Sequence, residues 1–184
     1  ALVESGTIDC IWGCFSMDGR EQLYRWAGPY MVSRQVVAVN ARSSIETLAD
    51  LAGKTVMVQS TTKPEEIFLG GTDPRIPQLG ELLSTEDRGV QYAMLNCGYV
   101  DAIAAHETAI LQYMQDCNAD FRILEEPLLV TGIGVAFALN DTRGLDAQLT
   151  GTLAAMRADG TLEQIVDKYL PDPEKYLEVD ALEP

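Results

Sequence analysis

The chain has 184 residues, 47% of them hydrophobic and 22% charged, enough to bury one core or two small lobes. A net charge of −15 excludes the basic surface that a nucleic-acid backbone requires. No window approaches the ~18 consecutive apolar residues of a membrane-spanning helix, and the opening Ala1-Leu2-Val3-Glu4-Ser5-Gly6 does not read as a signal peptide.

In chain order, Leu2 to Ser5 reads as the last turn of a helix closed by Gly6. Asp9 to Phe15 follows as a strand, apolar on both faces in the manner of a central strand covered by helices. A polar turn carries Arg20, and Trp26, Gly28, Pro29 and Tyr30 form an aromatic corner before a second strand, Ser33 to Val39. Ser44 to Gly53 is expected as a short helix capped by Ser44. Lys54 to Gln59 is a buried strand running into Ser60-Thr61-Thr62-Lys63-Pro64-Glu65-Glu66, a helix start with a hydroxyl cap, an early proline and two acids near the positive end of the dipole.

Further along, Glu81 to Ser84 is expected as a strand, and Asp87 to Cys97 as a helix with apolar residues at helical spacing. Tyr99 to Ala104 reads as a strand, Glu107 to Cys117 as a helix, and Phe121 to Leu124 as a strand. Leu128 to Leu139 is a long extended run, and Leu145 to Met156 and Gly160 to Leu170 are helices. Strands alternating with helices predict an α/β protein with mainly parallel sheets.

Four places could carry chemistry. Arg20 can grip a carboxylate bidentately, with Ser16 adding a hydroxyl. Ser60, Thr61 and Thr62 begin a helix, where hydroxyls and backbone N–H groups suit an anion. His106, the only histidine, and Glu107 lie just past a strand, and ligands in open α/β sheets bind beyond the carboxyl ends of strands. Trp12, Phe15, Trp26 and Tyr30 form an aromatic set, with Trp12 and Phe15 on opposite faces of their expected strand. Each has a plain structural alternative: a surface arginine, an N-cap, a solvent-facing histidine, and core aromatics.

The four cysteines make no metal pattern. Cys10 and Cys14 would sit ~13 Å apart on one strand, too far for a disulfide, so buried free thiols are expected, with a Cys97–Cys117 pairing left open. No nucleophile elbow, zinc-protease motif, P-loop or dinucleotide fingerprint occurs, so no cofactor or metal is expected.

The order of motifs resembles that of the extracytoplasmic solute-binding proteins, family 3, which serve polar amino-acid ABC transporters. Ser5-Gly6, Asp9, Ser16, Arg20 and Pro29-Tyr30 match that family's opening pattern. Leu48 to Lys54 with the strand Thr55 to Gln59 matches its "DL-x-GK-x-V-x-V" entry to the second lobe. Gly98 to Ala102 matches "G-x-x-DA", Gly134 to Phe137 the return crossing, and Asp159-Gly160 through Lys168-Tyr169 the terminal "DG…I…KY" helix.

The resemblance implies a type II, two-lobed periplasmic-binding-protein-like fold. Residues 1–34 and 137–184 would form a partial first lobe, and residues 35–136 a second lobe with the hinge strands. The family's domain opens with about two further β/α units, ~60 residues, that are absent here. Apolar surface on the first lobe is therefore expected to be covered by a second copy or a domain swap. The implied function is extracytoplasmic binding of a small carboxylated solute such as an amino acid, not turnover, with a transporter permease as partner and membrane attachment through a segment outside this chain.

Arg20 would hold the carboxylate, with Ser16, Ser60, Thr61 and Thr62 assisting and Trp12 and Phe15 as apolar walls. The family often binds the ligand's amine with an aspartate where this chain has His106, beside Glu107. A sensor domain of a membrane receptor and a cyclohexadienyl dehydratase-like enzyme are the alternatives on the same fold, the latter using His106 and Glu107 as acid and base.

Overall fold

A computed structural model describes residues 2–13 and 15–182 of the chain. The chain divides into two compact units, Ala1–Ser33 with Val130–Pro184, and Arg34–Leu129. The strand β1 (Arg25–Asn40) and the strand β6 (Leu129–Phe137) each contribute residues to both.

The second unit is built on a five-stranded path ordered β3-β2-β4-β1-β5, with β2 at Thr55–Gln59, β3 at Glu81–Thr85, β4 at Ala102–His106 and β5 at Phe121–Ile123. The three strands β3, β2 and β4 run parallel, whereas β1 pairs antiparallel with both β4 and β5. The sheet is therefore mixed, not mainly parallel, because β1 is a long connecting strand and not part of a β-α-β crossover.

Period-two alternation sorts the core cleanly. Val37, Val39, Val56, Val58, Ala102 and Ala104 face one side with Leu48, Leu51 and Leu128. Val36, Ala38, Met57, Ile103 and Ala105 face the other, against Tyr92 and Leu95 of α2 (Arg88–Asn96) and Ile110 of α3 (Glu107–Cys117). Helix α1 (Lys63–Gly70) adds Ile67 and Phe68 to the first side.

Four expectations in this unit are corrected. Ser44 to Gly53 yields only a single 3-10 turn, Leu48–Leu51, capped at Thr47, whose hydroxyl and backbone N–H both bond Asp50. The Asp50 carboxylate takes the N–H groups of Glu46 and Thr47, so the turn begins only after them. The strand expected from Tyr99 starts at Ala102, since Tyr99 N–H still caps α2 at Met94. Cys97 and Cys117 are free and exposed, neither buried nor paired. At the helix start, the Thr62 hydroxyl donates backwards to the Gln59 carbonyl and does not cap α1.

The first unit has a smaller core. Ala27, Val135 and Phe137 pack with Tyr30, Cys10, and Leu145 and Leu149 of α4 (Leu145–Ala158); α5 (Thr161–Val166) and α6 (Glu174–Leu177) follow. Tyr176 of α6, a helix that sequence patterning does not predict, is 1% exposed. The expected strand Asp9 to Phe15 is not continuous: Ile11 bridges Ala136 and Ser16 bridges Ile133 as isolated pairs. Gly13, at φ +147°, bends the segment between them. Cys14 lies outside the described residues. Leu2 to Ser5 is a turn, not a helix, with Thr7 N–H bonded to the Leu2 carbonyl. The aromatic corner at Trp26 to Tyr30 is part of β1, and α5 stops at Val166, short of the expected Leu170.

Gln91 of α2 is fully buried, and its amide donates to the carbonyls of Met57 on β2 and Ala104 on β4, both at 2.9 Å. This side chain ties a helix to two parallel strands. Replacing it as Gln91→Leu removes two hydrogen bonds from a dry interior, and a loss of about 1–3 kcal/mol is expected at ~0.5–1.5 kcal/mol per bond. A urea melt of the variant with an unchanged midpoint would contradict this role.

Candidate functional site

Two clusters of polar side chains stand out, one in each unit. In the second unit the parallel strands β2, β3 and β4 end on the same edge, so the residues just beyond them converge. β2 ends at Gln59 and leads to the start of α1, after β3 comes Asp87 with α2, and after β4 comes α3. Because β1 runs antiparallel to β4, its residues at this edge are Arg34 and Gln35, and the register sets Gln35 opposite His106.

Gln35, Gln59, Thr62, Arg88 and His106 together line a shallow recess floored by Pro64, Ala104 and Ala105. The Gln35 amide nitrogen stands 3.0 and 3.1 Å from the two ring nitrogens of His106. Arg88 donates through Nε and Nη2 to Gln59 Oε1, at 3.1 and 3.0 Å. Burial of the imidazole, with the nearby Arg88 guanidinium, pushes the His106 pKa below its ordinary value.

Glu107 follows directly but does not line the recess. It is 4% exposed in the first turn of α3, and its Oε2 lies 3.0 Å from Arg34 Nε. Arg34 Nε has no well-directed hydrogen bond, so the contact is charge pairing, and the helix N-terminus adds to the field that holds the carboxylate. Thr61 takes a left-handed φ of 63°, which turns its N–H onto Glu65 Oε2 at 2.6 Å. The Ser60 N–H bonds the Thr85 carbonyl, extending the β2–β3 pairing. Of the three hydroxyl residues, Thr62 alone lines the recess.

In the first unit, Arg20 lies over the Phe15 ring at 5.0 Å, and its Nη1 donates to the Ser16 carbonyl at 3.2 Å. Phe15 stacks on Trp26, with Tyr24 edge-on to both, and Trp26 Nε1 donates to the Arg20 carbonyl. Trp26 sits against Gly134, where a Cβ would come within 2.8 Å of the indole; glycine there permits the close approach. The Ser16 hydroxyl is shared with Thr131 Oγ1 at 3.0 Å and receives the Asp18 N–H. It therefore anchors the turn from below. Trp12, 58% exposed, joins a different pair, edge-on to Tyr30 at 6.4 Å.

Sequence reasoning passes over Gln35, Gln59 and Arg88. The argument that singles out His106, position at a strand's carboxyl end, applies equally to Gln59 at the end of β2 and to Arg88 after β3. Gln35 could be found only through the register.

A model of the bacterial extracellular solute-binding proteins, family 3, matches residues 1–172. PatH of Vibrio harveyi, named as an amino-acid ABC transporter-binding protein, is 31% identical over 172 residues, covering 91% of this chain and 67% of that protein. The glutamate-binding protein GluB of Corynebacterium glutamicum is 29% identical over 180 residues, covering 92% and 58%. The chain thus spans about two thirds or less of the length of these relatives. Among solved structures, the arginine-, lysine-, histidine-binding protein ArtJ from Geobacillus stearothermophilus superposes with a TM-score of 0.71 at 24% identity, covering 95% of this chain and 76% of that one. That match shows the type II periplasmic-binding fold.

The depressed His106 pKa carries a stability consequence. The folded chain binds fewer protons there than the unfolded chain, so this contribution is complete above the unfolded value of ~6.5 and is lost as pH falls below it. Carboxylates with depressed pKa values, such as Asp141 at about 2, act in a separate window below ~4. The urea midpoint is expected to fall between about pH 7.5 and 5.5, and His106→Gln to flatten that fall. An equal fall in the variant would show that His106 is not its source.

Proposed function

Because the chain belongs to the bacterial extracellular solute-binding proteins, family 3, we propose that it binds a small carboxylated solute, an amino acid or a close relative, outside the cytoplasm. Delivery to the permease of an ABC transporter follows, with closure of the two units as the signal. The relatives support amino-acid solutes, since PatH is named as an amino-acid ABC transporter-binding protein and GluB as a glutamate-binding protein.

The observation that carries the reading is the setting of Arg20. The half-buried Arg20 places its guanidinium over the Phe15 ring, tethered by one nitrogen to the Ser16 carbonyl. Guanidinium carries five N–H donors in a rigid plane, matched to both oxygens of a carboxylate. The aromatic neighbours restrict the arginine before any ligand arrives, which reduces the ordering cost of binding. In the second unit, Thr62, His106 and Arg88 line the recess.

A thermal-shift screen of the twenty amino acids on the chain tests the reading, with Arg20→Ala as control. Charge-assisted hydrogen bonds contribute ~1.5–3 kcal/mol, so the variant is expected to bind the best ligand about 10- to 100-fold more weakly while keeping its circular dichroism. Full retention of the ligand-induced shift in the variant would remove Arg20 as the carboxylate anchor. Arg20→Lys keeps the charge but not the fork, and an intermediate loss is expected.

A further inference from the structure

A cleft of about 220 Å³ opens in the first unit, walled by Pro29 and Tyr30 of β1, Leu153 and Ala154 of α4, Leu162 of α5, and Val179. All of these residues belong to one compact unit. Its described lining residues include neither Arg20 nor the Phe15, Ser16 and Trp26 side chains around that arginine. The family match ends at residue 172, so the wall at Val179 lies beyond it.

Each polar side chain lining the cleft already has a partner within the protein. Thr150 Oγ1 receives the Gly28 N–H at 3.2 Å and donates to the Asp146 carbonyl at 2.7 Å. The Tyr30 hydroxyl donates to the Gly13 carbonyl at 3.0 Å. Arg157 and Asp180 pair at the solvent edge, Nη2 to Oδ1 at 3.1 Å, and cancel in charge. A charged molecule entering the cleft would lose water and meet no counter-ion of its own. An uncharged one would cover apolar surface without breaking a bond, on the pattern of ligand sites that are concave and mainly apolar.

We propose that this cleft is a second binding site, one that takes an uncharged apolar molecule of one ring or two fused rings. An apolar cavity of ~150 Å³ is enough for benzene, and the cleft is larger. Leu153, Leu162 and Val179 are buried side chains, so these walls are set before a molecule enters, which lowers the ordering cost of binding. Ala154 is exposed at the mouth. The site is independent of Arg20 and does not rest on the solute-binding reading.

Methyl NMR spectra of the chain titrated with indole and benzene, and with benzoate and benzylamine as charged counterparts, test this. Indole is expected to shift the Leu153, Ala154, Leu162 and Val179 signals saturably while leaving Val56 and Val58 of the second unit's core in place. Benzoate and benzylamine are expected to bind at least about tenfold more weakly than benzene. Ala154→Phe adds bulk at the mouth and should weaken indole by about tenfold or more. Ala154→Leu, a smaller addition on the same exposed helix position, should act in the same direction if the phenylalanine variant does not fold. Shifts that never saturate or fall on other residues, charged compounds binding as tightly as benzene, or an unaltered indole affinity in every variant that folds would overturn the proposal. Each of these results leaves the assignment of Arg20 untouched, since that assignment is read from amino-acid binding.

Discussion

The antiparallel pairing of Gln35–Val39 with Ala102–His106 is the constraint on which the second unit depends. Val36, Val37, Ala38 and Val39 are each 0% exposed, so β1 is buried on both faces and bonded on both edges, to β4 and β5. Side chains alternate along a strand, and a slip of one residue would send every valine to the wrong side. The register is therefore held by the core, and the polar end of the strand goes where the core sends it. That places Arg34 and Gln35 beside the ends of parallel strands that each lead into a helix start.

The polar groups at this edge divide into those paired as charges or used as caps and those that line the recess. Arg34 and Glu107 neutralise each other in a setting where a lone charge would be costly. Asp87 and Glu65 are used to order helix starts and turns. What is left lining the recess is a cation, a neutral imidazole, two carboxamides and a hydroxyl. Arg88, exposed at the first turn of α2, is bonded to the neutral Gln59 carboxamide rather than to a carboxylate.

Much of this was legible in the residues. The strands Thr55–Gln59 and Glu81–Thr85 and the helices Arg88–Asn96 and Glu107–Cys117 follow from alternation, helical spacing and clear caps. The motif order around Arg20, Pro29-Tyr30 and Gly98 to Ala102 pointed to the family. Failures came where long-range pairing decided the outcome. Apolar periodicity cannot tell a strand from a segment that pairs with its neighbour through isolated bridges at Ile11 and Ser16, nor can it reveal that β1 runs sixteen residues unbroken. Glu107 read as a candidate contact for a ligand amine because its partner is seventy-three positions away; only the fold shows that Arg34 already holds it.

Both tryptophans of the chain, Trp12 and Trp26, belong to the first unit. They differ in setting: Trp12 stands 58% exposed, while Trp26 is partly buried, stacked on Phe15 and bonded to the Arg20 carbonyl. The chain thus carries a built-in optical label on one side of its architecture. Indole emission excited apart from tyrosine reports on the arginine platform and its surroundings, while the second unit, with tyrosines alone, stays dark at those wavelengths. Local events in the two units are spectroscopically separable without any added dye.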